Sequence, residues 1–326
     1  MRKCFGVRRL PATLMAISVG LLLLSGCITI NLLPQPSPLK EETISGTGDA
    51  KVLLMDLSGT ISNLEESGLV ERPNLVAHLK EELTKAGEDP AIKAIVLRIN
   101  SPGGTVTASD ILYHEIRTFK ERKKIPVVAS IMDVGASGGY YVAMAADTVV
   151  AHPSSVTGSL GVIMLTVNAQ GLLQKIGLET KAVVSGPRKD MGSPFRMMTD
   201  EERAIFQGLI DSFYERFLTV IKSGRPNLTA DTIRKLADGR VYSGEQAKAL
   251  GLIDGIGYLD DAMTLAKQEA GLSDAKIVRY RRPGEYRPNI YASLFSGPFG
   301  SSPLNGFDLL ALVKGGTPQF MYLWMP

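Results

Sequence analysis

Short, nearly continuous apolar runs alternate along this chain with longer stretches in which apolar residues recur every three or four positions. The runs Val52–Leu57, Ala94–Ile99, Ile125–Met132, Thr148–Ala151, Val162–Leu165 and Lys181–Val184 are β-branched-rich and brief. That pattern predicts strands buried on both faces. Between them, Leu75–Ala86 and Thr107–Arg122 have helical spacing, with Ile111, Leu112 and Ile116 on the apolar side of the second and Gly87 placed to end the first. Strand and helix in repeated succession predict an α/β domain on a mainly parallel sheet over residues 49–272, long enough for one good core. From Asp200 to Lys222 the chain reads as one helix whose stripe of Ile205, Leu209, Phe213, Phe217 and Val220 is a packing face. Ser243-Gly244-Glu245-Gln246 reads as a capping box opening a short helix that ends near Gly251. Residues 273–326 read as a C-terminal extension, irregular from Ile277 and closing on Phe320-Met321-Tyr322-Leu323-Trp324-Met325-Pro326. Left exposed, such a segment favours aggregation, so it is expected to dock in a groove of its own chain or of a neighbouring subunit.

The N-terminus changes the reading of charge and compartment. Arg2, Lys3, Arg8 and Arg9 precede the apolar run from Leu14 to Leu24, and Ser25 and Gly26 lead to Cys27. Basic, apolar, then small is the order of an export signal, and Leu24-Ser25-Gly26-Cys27 resembles a bacterial lipobox, in which the cysteine is lipidated. The alternative is an uncleaved membrane anchor, since no charge occurs between Leu10 and Leu39. Either reading places the domain outside the cytoplasm, in the bacterial cell envelope, because the basic flank stays inside. Residues 1–26 are then a signal peptide, and 27–48, rich in Pro, Ser, Thr and Gly, a lipidated linker. The formal charge of +3 includes four basic and no acidic groups in 1–26, so the mature chain is at 3 − 4 = −1. No basic stripe points to nucleic acid. Cys4 and Cys27 are the only cysteines, which leaves the domain without a disulfide or thiolate nucleophile. His78, His114 and His152 lack metal-ligand spacing, so no metal is expected.

Candidate chemistry centres on Gly135-Ala136-Ser137-Gly138-Gly139, between a predicted strand and the helix-compatible run Tyr140–Ala146. A serine on a strand-to-helix turn presents its hydroxyl, and the following amides suit a developing oxyanion. The same pattern also makes ordinary turns. Serine needs a base. His152, the only histidine downstream, lies at a strand end before Pro153 and reads more simply as an ordinary or capping residue. A lysine serves if its site lowers a pKa that is near 10.4 in water. Lys189, in the Gly- and Pro-punctuated segment Ser185–Pro194, is a candidate, although spacing alone also fits a solvated charge. Ser101-Pro102-Gly103-Gly104 follows the second strand and can offer a backbone N–H to a substrate carbonyl, or be a plain β-to-α turn.

Four segments in order, Asn100–Gly104, Ala136–Tyr141, Thr157–Val162 and Ser185–Asp190, closely resemble the short, single-domain form of signal peptide peptidase A. The resemblance covers residues 50–272. It implies a ClpP/crotonase-like α/β fold, Ser137 as nucleophile and Lys189 as general base, with Ser159 positioning the lysine. It also implies an oxyanion hole from Gly104 and Gly138, no cofactor, and a ring of identical subunits in which Ser and Lys come from neighbours. The implied substrates are cleaved signal peptides and other apolar peptides. Two other classes compete. A crotonase-type acyl-CoA enzyme shares the oxyanion hole but sits poorly with export. A catalytically inactive lipoprotein would use the same fold to bind a peptide or partner.

Overall fold

The computed structural model describes residues 38–64, 74–282 and 319–325. The export segment and Cys27 therefore lie outside the described residues. Twelve strands occur among the described residues: β1 (Lys40–Ser45), β2 (Lys51–Ser58), β3 (Ile92–Ser101), β4 (Gly103–Thr105), β5 (Val127–Ala136), β6 (Thr148–Ala151), β7 (Val156–Gly158), β8 (Ile163–Met164), β9 (Val241–Ser243), β10 (Gly255–Ile256), β11 (Lys276–Arg281) and β12 (Phe320–Leu323). Eight helices accompany them: α1 (Leu75–Glu88), α2 (Val106–Lys123), α3 (Gly138–Ala143), α4 (Gln170–Lys175), α5 (Asp200–Gly224), α6 (Ala230–Leu236), α7 (Gly244–Ala249) and α8 (Leu259–Glu269).

The main sheet runs β1-β11-β2-β3-β5-β6-β10, with β7 paired to the far end of β5 and β9 to β7. Its central pairs are parallel; β1–β11 and β7–β9 are antiparallel. Alternation along the strands divides the core. Leu53, Met55, Leu57, Ile95, Leu97, Ile99, Ala129 and Ile131 face a cluster built with α1, α2, α3 and α5. Val52, Leu54, Ala94, Val96 and Val128 face the opposite side, against Leu259, Met263 and Ala266 of α8. Helices thus cover both faces at the centre, which is why these strands read as continuous apolar runs.

Several expectations change. Residues 40–45, within the segment read as linker, form the edge strand β1, and β11, within the segment read as extension, pairs in parallel with β2. Val162–Leu165 does not join the parallel sheet; only Ile163 and Met164 are extended, in a second sheet of order β4-β12-β8. Lys181–Val184 forms no strand, and Val183 is 99% exposed, because nothing in the described chain pairs with it. The first helix passes Gly87 and is capped at Asp89. The stripe on α5 holds at Phe217 and Val220, but Leu209 is exposed, because the N-terminal half of α5 leaves the core.

Candidate active site

Strand β5 ends at Ala136, and the next residue turns sharply. Ser137 has φ 51° and ψ −114°, a left-handed backbone that a side-chain-bearing residue adopts at a cost of about 1–3 kcal/mol. The turn is held from both sides. Its N–H donates to the Gly158 carbonyl at 2.7 Å, and its own carbonyl accepts from Tyr141 N–H at 2.9 Å, starting α3. Tyr140, Tyr141, Val142 and Ala143 of α3 are completely buried, so the core clamps the turn in place. The Ser137 Oγ is itself buried and has no hydrogen-bond partner among the described residues. A buried hydroxyl left unsatisfied costs about 1–3 kcal/mol, which is the state expected of a group kept ready for a ligand.

Beside it runs β4. Ile61 lies against its outer edge: Thr105 N–H donates to the Ile61 carbonyl at 2.9 Å, and Ile61 N–H to the Gly103 carbonyl at 2.8 Å. A Cβ on Gly104 would fall 1.9 Å from the Ile61 carbonyl oxygen, so only glycine permits this approach. Strand alternation then turns the Gly104 N–H to the opposite edge, where its register partner is Tyr322 of β12. Trp324 N–H donates to the Pro102 carbonyl at 2.9 Å, and this phase sets the Gly104 N–H against the Tyr322 carbonyl. Gly103 has φ 103°, and a Cβ there would meet the Tyr322 carbonyl oxygen at 2.0 Å and the Gly138 nitrogen at 2.7 Å. The Tyr322 carbonyl, the Gly104 edge and the Gly138 amide therefore converge beside Ser137. Segment 320–323 adds as an antiparallel strand between β4 and β8, so a peptide backbone already occupies this groove.

The other anticipated residues separate into two groups. Ser159 lies near Ser137: it follows Gly158, whose carbonyl holds the turn, and it too has a positive φ, 50°. Its N–H donates to the Arg240 carbonyl at 2.7 Å. Lys189 is exposed on an irregular segment and makes no hydrogen bond to Ser137 within the chain. That segment is tied down by Arg188 pairing with Glu201, and by Arg196, which bonds Asp190 at 2.8 Å and Glu202 at 2.9 Å. Hydrogen bonds from Arg196 hold both carboxyls below their usual range. His152 has other partners: its Nδ1 lies 2.8 Å from Ser154 Oγ and its ring stands edge-on to Tyr258 at 4.8 Å. The capping reading of His152 fits that geometry. Reading the sequence missed Ile61, which aligns β4, and Tyr141, which lines the groove. The continuous apolar run 320–324 was the signal for the docked strand, and the sequence reading expected that segment to dock in its own chain or on a neighbour.

The class that emerges is a serine hydrolase of α/β architecture in which the chain's own segment 320–323 is added as a strand beside the serine turn. The profile of peptidase family S49 matches residues 119–273, and that of Clp protease residues 73–158. An Enterococcus faecium protein bearing the name signal peptide peptidase SppA is 36% identical over 245 residues, 74% of this chain and 71% of its own length. A Synechocystis sp. protein bearing the name protease slr0021 is 39% identical over 217 residues, 67% of this chain and 76% of its own. Among solved structures, ClpP1 from Listeria monocytogenes superposes with a TM-score of 0.42 at 18% identity, covering 64% of this chain and 94% of that one. The chain belongs to peptidase family S49 and is a serine protease. Among the described residues no helix is long and apolar enough to cross a membrane. No group of three or more His, Cys, Asp or Glu among them is placed to hold a metal ion.

Proposed function

We propose that this chain is a membrane-anchored endopeptidase of the cell envelope that degrades cleaved signal peptides and similar apolar peptides through a Ser137–Lys189 dyad. The observation that carries the reading is the buried, unpartnered Ser137 Oγ beside a groove in which the carbonyl of an extended peptide faces the Gly104 amide. Unprotonated Lys189 takes the Ser137 proton, and the Oγ attacks the scissile carbonyl. The oxyanion rests on the N–H groups of Gly104 and Gly138. Lys189 returns the proton to the leaving amine, and water then hydrolyses the acyl-enzyme. Ser159 hydrogen-bonds the lysine and positions it. The substrate class follows from the name borne by the Enterococcus relative and from the apolar character of segment 320–323.

The dyad forms between adjacent subunits of a ring. Lys189 is exposed within its own chain, on a stretch that also exposes Leu172, Ile176, Val183 and Met197. So much open apolar surface supports burial against a second copy. Cys27 supplies the lipid anchor, which holds the domain on the extracytoplasmic side.

Ser137→Ala and Lys189→Ala should each reduce hydrolysis of an apolar fluorogenic peptide at least about a thousandfold while folding normally. The two inactive proteins, mixed and reassembled, should regain activity, because some interfaces then join an intact Ser137 to an intact Lys189. No recovery from a mixture shown to exchange subunits removes the shared dyad. Activity of the wild type should climb toward alkaline pH as a lysine base requires; a plateau reached near pH 6 excludes it. Cys27→Ala should abolish incorporation of labelled lipid, and unchanged labelling would remove the anchor.

A further inference from the structure

One peptide group joins the serine turn to the loop that leads into β9. The Gly158 carbonyl accepts from the Ser137 N–H at 2.7 Å. The N–H across the same peptide bond, that of Ser159, donates to the Arg240 carbonyl at 2.7 Å. A trans peptide is planar and points its two polar groups in opposite directions, so this one is a rigid crossbar between Arg240 and Ser137. Both residues flanking it are left-handed, Gly158 with φ 92° and Ser159 with φ 50°. Rotating the crossbar by half a turn would carry Ser159 to a φ of about −130°, an ordinary extended conformation. Strain at Ser159 therefore favours the flip, and the two hydrogen bonds oppose it. A flip would take the acceptor from the Ser137 N–H and leave the strained serine turn without its hold on that side.

The Arg240 carbonyl is fixed by its own side chain. The Asp238 carboxylate accepts from the Arg240 backbone N–H at 3.1 Å and from Nε at 2.8 Å, and its second oxygen takes Nη2 as well. A carboxylate that bonds the N–H two residues on forms an Asx turn, and here the arginine fork closes on the same group. Two hydroxyls hold the loop further back: Tyr214 donates to the Ala237 carbonyl at 2.7 Å and Tyr242 to the Leu236 carbonyl at 2.9 Å. The fit is close, since a Cβ on Gly158 would stand 2.9 Å from the Arg240 carbonyl oxygen and 2.7 Å from the Tyr242 ring. We infer that Asp238 and Arg240 are positioning residues, whose fork presses the Arg240 carbonyl onto the Gly158–Ser159 peptide and so keeps Ser137 and Ser159 in the geometry that hydrolysis uses. This rests on the proposed catalytic role of Ser137 and the proposed positioning role of Ser159. Both side chains of the fork are exposed, and an exposed ion pair contributes little to global stability. Its loss should therefore be felt in catalysis and not in folding.

The test compares Asp238→Ala with Asp238→Asn in the full chain. Alanine removes the whole grip, whereas asparagine keeps an oxygen for the Arg240 N–H and with it the Asx turn. On an apolar fluorogenic peptide, Asp238→Ala should lower kcat about tenfold with KM within about twofold of wild type. Asp238→Asn should recover most of that, to within about threefold of wild type. Labelling of Ser137 by a fluorophosphonate should slow in step with kcat. Amide exchange in Asp238→Ala should lose protection at Ser137 and Ser159 while the rest of the sheet keeps its own. Lys80→Ala, which removes an exposed ion pair with Glu115 between α1 and α2, is the control and should change none of these readings. A kcat for Asp238→Ala within about twofold of wild type overturns the inference and leaves the peptidase. Protection lost evenly along the chain also overturns it, by showing general destabilisation. A wild type that neither hydrolyses the peptide nor takes the label removes the catalytic role of Ser137. Protection lost only at the two serines would then still support the clamp.

Discussion

At the scale of single residues, the site depends on atoms that are absent. Gly104 and Ile61 approach so closely that an added methyl group has only backbone to displace. Gly104→Ala should therefore cost at least about 1–3 kcal/mol and abolish peptide hydrolysis together, read from a urea melt and a turnover assay. Gly208 is the matched control. It lies inside α5, nothing stands within 4 Å of where its Cβ would be, and Gly208→Ala should stabilise the protein by about 0.5–1 kcal/mol with turnover unchanged. Ser137 pairs a strained backbone with a hydroxyl that has no partner among the described residues. Its position at the end of an apolar run, among glycines, was legible in the sequence. Its strain was not, because φ is imposed by the clamp between Gly158 and the buried face of α3.

At the scale of elements, the start of α5 anchors the segment that carries Lys189. Thr199 and Glu202 form a capping box, and Arg196 bridges Glu202 to Asp190. Both carboxyls sit below their ordinary range because Arg196 hydrogen-bonds them. Such groups contribute order that is fully present above the unfolded carboxylate pKa and is lost as pH falls through the lowered one. Amide protection over residues 190–199, taken relative to intrinsic exchange at each pH, should accordingly be present at pH 7 and fall below about pH 4. In Arg196→Ala the segment should show little protection already at pH 7, with little further change in protection on acidification. Protection in the wild type that stays constant down to pH 3 would contradict this. The capping box at Ser243 was visible as a local motif, and Ser243 with Gln246 does open α7. The network around Arg196 joins residues six apart on either side through an irregular turn, a spacing that belongs to no helix or strand period and leaves no pattern to read.

At the scale of the whole molecule, the sheet and its helices converge on a polar junction beneath α3. Tyr140 is fully buried and donates to the Leu252 carbonyl at 2.6 Å, which also accepts from Arg225 at 2.8 Å, and Arg225 pairs with Asp254. Burial pushes the Tyr140 phenol up to about 12, and the phenols of Tyr141 and Tyr280 are raised by burial as well. A raised pKa means stability that is intact below the unfolded value near 10 and declines as pH rises toward the folded value. Urea midpoints should hold up to pH 9 and fall steeply between about pH 10 and 12. Tyr140→Phe should flatten part of that slope while costing about 1 kcal/mol at neutral pH for the lost hydrogen bond. An unchanged slope in the variant would assign the alkaline transition to the other phenols.

What the sequence determined by itself is whatever a residue's own neighbours decide. Buried runs and helical spacing predicted α/β order with a parallel centre, because each strand's side chains must meet helices on both faces. Glycines around Ser137 predicted its turn. The tertiary structure alone decided which backbone edges meet. β1 finds β11 and β12 finds β4 across more than two hundred residues, through main-chain hydrogen bonds that are blind to side-chain identity. The same blindness explains Lys181–Val184, a run with strand composition and no partner edge in the described chain. The groove exists because Ile61 turns one edge of Gly104 inward and leaves the other edge for a peptide. The aromatic cluster beneath it exists because α2, α3 and α5 bring Tyr113, Tyr141 and Phe217 to one place.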